Sequence, residues 1–233
     1  MKIKYKLKPG HICRYDTTVY SLREAEEGSY YEKNESTMEM SMTQEVVKVY
    51  SNGDMDLRVS IDKSTLWKNG EEVPVKRKEK IFFMKMSESG EVLESSGTGP
   101  QSPPLFPDRD INPGDVWKSE KSISVPSRPD GLLLKTLYKL EGSEKFNGFD
   151  CVKIVIDTEE VSLEFEEGVL QVIGGNGVTY FAPGEGKLVN SEVNTYTRTT
   201  LSGAQIRVVT KVKVNYVVDG KESKPAGDFF LSL

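Results

Sequence analysis

The single histidine, His11, sits beside the turn Pro9-Gly10. A metal site built on imidazole needs several histidines, and a serine–histidine nucleophile pair would need His11 together with a G-x-S-x-G elbow that the chain lacks. His11 therefore reads as a surface turn residue. Carboxylates are plentiful: Glu164, Glu166 and Glu167 cluster, and Asp108 and Asp110 flank Arg109. A carboxylate-pair hydrolase needs two acids across one cleft. Strand alternation instead puts Glu164 and Glu166 on one outward face, and the two aspartates read as loop solvation. Asn52-Gly53-Asp54-Met55-Asp56 opens like a calcium loop but lacks its further ligands and terminal glutamate. Gly174-Gly175-Asn176-Gly177 invites a phosphate-loop reading, yet no lysine–serine pair or amphipathic helix follows, so it reads as a wide turn. Cys13 and Cys151 form no CxxC pair and read as two buried free thiols, with one long-range bridge as the alternative. These patterns predict no catalytic residue, no metal and no cofactor.

What stands out is apolar and soft. Met38, Met40 and Met42 alternate with Glu39, Ser41 and Thr43, and Met55, Phe82, Met84, Met86, Trp117, Tyr180 and Phe181 recur on further strand-like stretches. Unbranched thioethers adapt to irregular shapes. These ten residues are the candidate lining of an apolar groove for a lipid, an acyl chain or a hydrophobic peptide. The plainer reading of the same stripe is a filled core.

The elements that must position this stripe are strands. Met1 to Lys8 alternates strictly, with Ile3, Tyr5 and Leu7 on one face, and reads as an opening strand. Cys13, Tyr15, Thr17 and Val19 form one side of the next. Ser21 to Gly28 fits either a short helix or a solvated hairpin tip. Asn52-Gly53 predicts a hairpin turn with positive φ at both residues, followed by Met55, Leu57, Val59 and Ile61 facing inward. Asn69-Gly70 and Asn147-Gly148 predict two more hairpins, and Val152, Ile154 and Ile156 a second inward face. Lys76-Arg77-Lys78 is balanced by neighbouring glutamates and reads as a solvated edge. Leu188 to Thr200 and Ile206 to Val218 form a hairpin around Ser202-Gly203. Its last strand would run roughly 43 Å at about 3.3 Å per residue, a length that suits a curved, wrapping sheet. An aromatic stretch, Phe229-Phe230-Leu231, lies near the end.

Turn signals repeat in order. Pro9-Gly10, Asn52-Gly53 and Gly90 are matched by Pro113-Gly114, Asn147-Gly148 and Gly186, spaced 37 and 38 residues between the last two members of each set. This pattern predicts a duplicated β unit: residues 1–95, a Pro/Gly-rich linker over 96–111, and residues 112–233, together one continuous domain. Leu105-Phe106-Pro107 in the linker reads as an apolar plug tucked against a sheet.

Of 233 residues, 31 are basic and 36 acidic, a net charge of −5. That balance argues against non-specific binding to nucleic acid or an anionic membrane. Apolar runs such as Leu132-Leu133-Leu134 are far too short for a membrane-spanning helix. Lys2, Lys4, Lys6 and Lys8 interrupt the early apolar residues, so no signal peptide is read. Two compartments stay open: the cell envelope if a leader has been removed, the cytoplasm otherwise.

Three groups of residues carry a family likeness. They are Lys8-Pro9-Gly10 with Phe106-Pro107-Asp108 and Asn112-Pro113-Gly114-Asp115-Val116-Trp117; Phe146-Asn147-Gly148-Phe149-Asp150-Cys151-Val152-Lys153-Ile154; and Gly177-Val178-Thr179-Tyr180-Phe181 ahead of Gly186. Together they resemble an uncharacterised bacterial family of lipoproteins and envelope proteins, related in fold to the LolA-like and LppX-like lipoprotein-carrier half-barrels. The resemblance implies a strongly curved antiparallel sheet, often plugged by helices on its concave side, that holds lipid or a lipid-modified partner. The chain departs from it in lacking clear plug helices and a lipidation cysteine near Met1. The expected fold is therefore mainly β with little helix: a half-barrel built from two tandem repeats. The expected function is non-enzymatic binding of a hydrophobic ligand or lipidated partner. A structural or interaction module with a filled core is the alternative, and a hydrolase comes third.

Overall fold

The computed structural model describes residues 1–75, 81–96, 103–125, 128–165 and 168–218. The basic run Lys76-Arg77-Lys78, the pair Glu166-Glu167, the middle of the linker and the C-terminal Phe229-Phe230-Leu231 lie outside them. The described residues contain no α-helix. Twelve strands form one antiparallel sheet: β1 (Ile12–Glu27), β2 (Tyr30–Val49), β3 (Met55–Lys68), β4 (Glu71–Val73), β5 (Ile81–Met86), β6 (Val92–Ser95), β7 (Val116–Val125), β8 (Arg128–Phe146), β9 (Phe149–Phe165), β10 (Val169–Ala182), β11 (Lys187–Leu201) and β12 (Ala204–Tyr216).

Their order is β6-β5-β3-β2-β1-β12-β11-β10-β9-β8-β7, with β4 paired to β3 alone. Neighbours in sequence are thus neighbours in space, except that β5 pairs with β3 and not with β4, and that β6 and β7 lie at opposite edges. The first and last strands meet in the middle of the sheet, where Thr17 faces Val214 and Val19 faces Val212. The two edges are β6 and β7, the strands on either side of the linker. The sheet is open there and does not close into a barrel.

It is also strongly curved. Met84 and Met86 on β5 line one cavity with Leu188 and Ser191 on β11. In a flat sheet those strands, five spacings apart in the order above, would stand roughly 24 Å from each other at about 4.8 Å per strand. The inward stripes form one buried cluster: Met40 and Met42 on β2, Met55 and Leu57 on β3, Leu140 on β8, Ile154 on β9 and Phe181 on β10.

Several local expectations need correction. Met1 to Lys8 has the anticipated buried face, with Ile3, Tyr5 and Leu7 all in the core, but it joins no strand ladder. Its backbone is shared among three partners: Tyr5 donates to Glu88, Lys6 donates to Gly186, and Met1 and Ile111 exchange bonds. Ser21 to Gly28 is not a short helix but takes the hairpin-tip alternative, the end of β1 and its turn, with Gly28 at φ 60°. At Asn52-Gly53 positive φ occurs at Gly53 only, whereas Asn69-Gly70 and Asn147-Gly148 take it at both positions. The run Gly174-Gly175-Asn176-Gly177 is no turn. It lies inside β10, paired on both sides, because a Cβ at 175 or 177 would press on the Asn194 or Glu192 carbonyl of β11.

The matched turns do share geometry. Gly10, Gly53 and Gly90, and Gly114, Gly148 and Gly186, all have positive φ. Gly10 donates to Val46 while His11 accepts from it, and Gly114 donates to Leu140 while Asp115 accepts from it.

Candidate apolar groove

The hollow face is layered, and the register shows how. Its deepest layer across the sheet runs Met40, Thr17, Val214, Ser191, Thr179, Ile154 and Leu140, each facing the next on the neighbouring strand. All seven are buried. Two residues further along every strand, on the same side by the period of two, comes a second layer: Leu66, Met38, Val19, Val212, Val193, Gly177, Ile156, Tyr138 and Trp117. Here burial splits. Ile156, Tyr138 and Trp117 are buried, while Met38, Val19, Val212 and Val193 are only half-buried. A third layer is made of hydroxyls: Ser36, Ser21, Thr210, Thr195, Thr158, Thr136 and Ser119, with Gly175 between Thr195 and Thr158. The wall thus grades from buried core through a half-buried apolar row to a hydroxyl belt.

The lower part of the hollow is plugged by extended chain. Ile3, Tyr5 and Leu7 from the N-terminal segment and Phe106 and Ile111 from the linker all enter the main cluster. Phe106, Tyr5 and Phe181 form a three-ring contact with centroids 4.7 to 5.6 Å apart. The Trp117 indole donates to the Leu105 carbonyl at 2.7 Å and stacks on Tyr138, which ties the linker to the β7–β8 edge. The plug expected at Leu105-Phe106 is therefore present, but the N-terminal segment supplies half of it. Backbone approach is close: a Cβ at Gly186 would collide with Lys6, and one at Gly90 with the Pro104 carbonyl and the Tyr5 ring.

Between plug and sheet a cavity of about 110 Å³ remains, lined by Tyr5, Leu7, Tyr15, Met42, Gln44, Val59, Phe82, Met84, Met86, Pro103, Pro104, Leu188, Ser191 and Val214. No lysine, arginine or acid lies in that lining. Its polar groups are few. The Tyr15 hydroxyl donates to the Leu188 carbonyl at a long 3.5 Å, and Ser191 pairs with Thr179. Among the described residues the Tyr5 hydroxyl has no hydrogen-bond partner, although the residue is only 6% exposed. Burial pushes the Tyr5 phenol far above its usual range, and the Tyr15 phenol likewise. Both are neutral donors at any physiological pH.

Of the ten residues the sequence singled out, Met42, Phe82, Met84 and Met86 line this cavity. Met38 belongs to the half-buried layer above it. Met40, Met55, Trp117 and Phe181 share the hollow face but are committed to core packing. Tyr180 points to the opposite face, stacked on Phe146 at 4.1 Å beside Cys151, Ala182 and Val189. Adjacent strand residues point to opposite faces, so Tyr180 and Phe181 cannot both line one groove. Both cysteines are buried and free. Sequence reasoning missed the other ten lining residues, among them Tyr5, Tyr15, Gln44, Leu188 and Ser191. The alternation around Tyr5 was the available signal, since it marks a buried face without saying what that face meets.

No protein-family model and no curated protein matches the chain. Solved structures do. A lipovitellin structure described as one of lipid–protein interactions is 10% identical, with a TM-score of 0.53 over 95% of this chain. The chain spans about a quarter of that protein, 27% of its length. The attachment invasion locus protein Ail of Yersinia pestis aligns over 90% of this chain and 99% of its own, at 10% identity and a TM-score of 0.20. A DUF1329 family protein from Desulfovibrio piger aligns over 88% of this chain and 87% of its own, at 12% identity and a TM-score of 0.17. The lipovitellin likeness extends to the fold: a large, open antiparallel sheet.

Proposed function

We propose that the chain is a non-enzymatic binding protein that holds a hydrophobic ligand against the hollow face of its sheet. The observation that carries this reading is the second layer of the wall. Met38, Val19, Val212 and Val193 form an unbroken apolar row across four strands, and none of the four is fully buried. A lipid, an acyl chain or a hydrophobic peptide laid on that row would complete the cover that the linker provides further along. Support also comes from lipovitellin, whose similar sheet belongs to a structure of lipid–protein interactions. In this reading the chain works as the lipoprotein-carrier half-barrels do, with extended segments in place of plug helices. The matched turn geometry makes duplication of one β unit part of the same proposal.

Magnitudes decide how the ligand must sit. A dry cavity of about 150 Å³ takes one benzene, so the 110 Å³ here takes roughly four or five carbon atoms. At about 0.8 kcal/mol per buried CH₂ that is roughly 3 to 4 kcal/mol. Micromolar affinity needs about 8 kcal/mol. The cavity alone is too small, and a ligand must extend along the open row to bind well. The same small volume favours a second reading, a structural or interaction module with a filled core. Native mass spectrometry of protein purified without detergent separates the two. A co-purifying lipid that leaves on delipidation and returns on reloading supports the binding protein; a bare chain that takes up no acyl probe supports the filled module.

A further inference from the structure

We infer that the β7 edge is a pairing surface for a second copy of this chain, the two β7 strands running antiparallel about a two-fold axis at Ser119. The hydrogen bonds of β7 show which residues are on offer. Leu140 of β8 donates to the Asp115 carbonyl, so the peptide groups of Asp115, Trp117, Ser119 and Lys121 turn toward β8. Those of Val116, Lys118, Glu120 and Ser122 turn outward. The Arg109 guanidinium meets the Val116 carbonyl at 3.3 Å from that side, as the assignment requires. Among the described residues no backbone group pairs with Lys118, Glu120 or Ser122 there, and all three side chains are exposed. The other edge differs: β6 has four residues where β7 has ten, and a very short edge resists strand addition.

Charge selects both the occupant and the register. Outward residues hydrogen-bond only to outward residues, so two β7 strands slide past each other in steps of two. Centred on Ser119, the ladder sets Lys118 opposite Glu120 of the second copy, Glu120 opposite its Lys118, and Val116 opposite its Ser122. Centred instead on Lys118 or on Glu120, it sets like charges directly opposite each other, which is destabilising. The Ser119 centre also uses the whole regular stretch, which ends at the register shift between Ile123 and Val125. Charged side chains on an edge discourage strand addition in general. Self-pairing in this one register neutralises them, because the Lys118–Glu120 ion pair, 3.6 Å within one chain, meets its own reverse order. An arbitrary strand brings no such match. So short a ladder makes a small interface, and the dimer is concentration-dependent. It joins the two sheets with both hollow faces on the same side, and it requires no ligand.

The test is sedimentation velocity on the full chain over a concentration series reaching millimolar, with charge variants. Wild type is expected to pass from monomer to dimer. Lys118→Glu opposes acid to acid at both symmetric contacts and is expected to weaken the dimer by about tenfold. Adding Glu120→Lys reverses both charges, restores the opposition and should restore the dimer. Ser119→Cys puts two thiols on the axis, with Cα atoms about 4.5 Å apart in a non-hydrogen-bonded pair, and is expected to oxidise rapidly to a covalent dimer. Ser122→Cys stands far from its own copy and should not. Cys13 and Cys151 are buried, so cross-linking reads the introduced thiol. A wild type that stays monomeric throughout, a dimer that Lys118→Glu leaves intact, or a double variant as weak as the single one would each overturn the inference. So would cross-linking of Ser122→Cys as fast as that of Ser119→Cys.

Discussion

Two stretches of one layer on the hollow face differ in a single respect. Trp117, whose indole donates to Leu105 of the linker, Tyr138 stacked on it, and Ile156 are buried, while Val193, Val212, Val19 and Met38 continue the same row and are half-buried. Both stretches are apolar, both sit on long paired strands, and both point inward. The sheet therefore fixes which way a side chain faces, and the extended plug fixes whether that face is dry. Burial on this wall belongs to the segments that carry no regular structure of their own.

If so, the largest losses of stability should come from the plug rather than from the wall. Phe106→Ala is expected to cost about 3 to 5 kcal/mol, the range for emptying a buried aromatic site, because its ring contacts both Tyr5 and Phe181. Val19→Ala on the open stretch should cost well under half of that. Urea unfolding of the two variants measures the contrast, and equal costs would break it.

Next in size come two glycines that share a backbone conformation and differ only in what stands nearby. Gly148 has φ 86° with nothing within reach of an added Cβ, and Gly186 has φ 62° with Lys6 of the plug against it. Positive φ alone costs an alanine about 1 to 2 kcal/mol. Gly148→Ala should show that much, and Gly186→Ala about 1 to 2 kcal/mol more, since a backbone neighbour cannot swing aside. The difference between them sharpens the comparison by isolating the plug contact from turn strain.

Much of this wall was legible in the sequence, and the reasons are local. Asn69-Gly70 and Asn147-Gly148 take the positive φ their residue types favour. Met40, Met42, Leu57 and Ile154 are buried as their period of two requires. Leu105-Phe106 stood out because two apolar side chains in a proline-rich stretch must be covered by something. What alternation could not supply was the partner. Met1 to Lys8 has the pattern of a strand, yet its face meets the linker and turns rather than a ladder. Gly174-Gly175-Asn176-Gly177 has the composition of a turn, and close strand approach explains it instead. Lys187 looks like a solvated lysine but is buried, with its ammonium 4.4 Å from the Phe149 ring and 3.9 Å from the Tyr216 ring. These are long-range facts, and a single chain read in order carries no direct trace of them.

The cysteines extend the comparison to the outer face. Cys13 lies in the plugged core and Cys151 in a small cluster with Ala182 and Val189 on the opposite side. Burial pushes both thiols up, Cys151 from the ordinary 9.0 to about 11. A thiol that holds its proton more tightly when folded favours folding fully below pH 9. That contribution is then lost as the pH climbs through 9 to 11. Unfolding midpoints should fall modestly over that window. Native-state alkylation at pH 8 should be slow at both sites and become fast only in denaturant. Rapid native labelling of Cys13 alone would show that the plug opens more readily than the outer cluster.

The smallest stability effect is expected on the open stretch, where the largest effect on binding belongs. Val212→Thr replaces a half-buried methyl with a hydroxyl and keeps the β-branched shape that suits a strand. The substituted side chain would stand between Thr210 of the belt and Val214 of the core, next to Val19 and Val193. Because the site is partly solvated, the hydroxyl can reach water, and the cost to folding should stay below about 1 kcal/mol. A ligand laid on the row would remove that water, so the same hydroxyl should weaken an acyl probe by several-fold. The matching change in the plugged stretch, Ile156→Thr, should do the reverse: a clear loss of stability, with little effect on binding beyond it. Thermal unfolding and probe titration on the two variants give four numbers. If both substitutions shift stability and binding alike, the row is uniform core, and the distinction between a covered and an uncovered half of the wall fails.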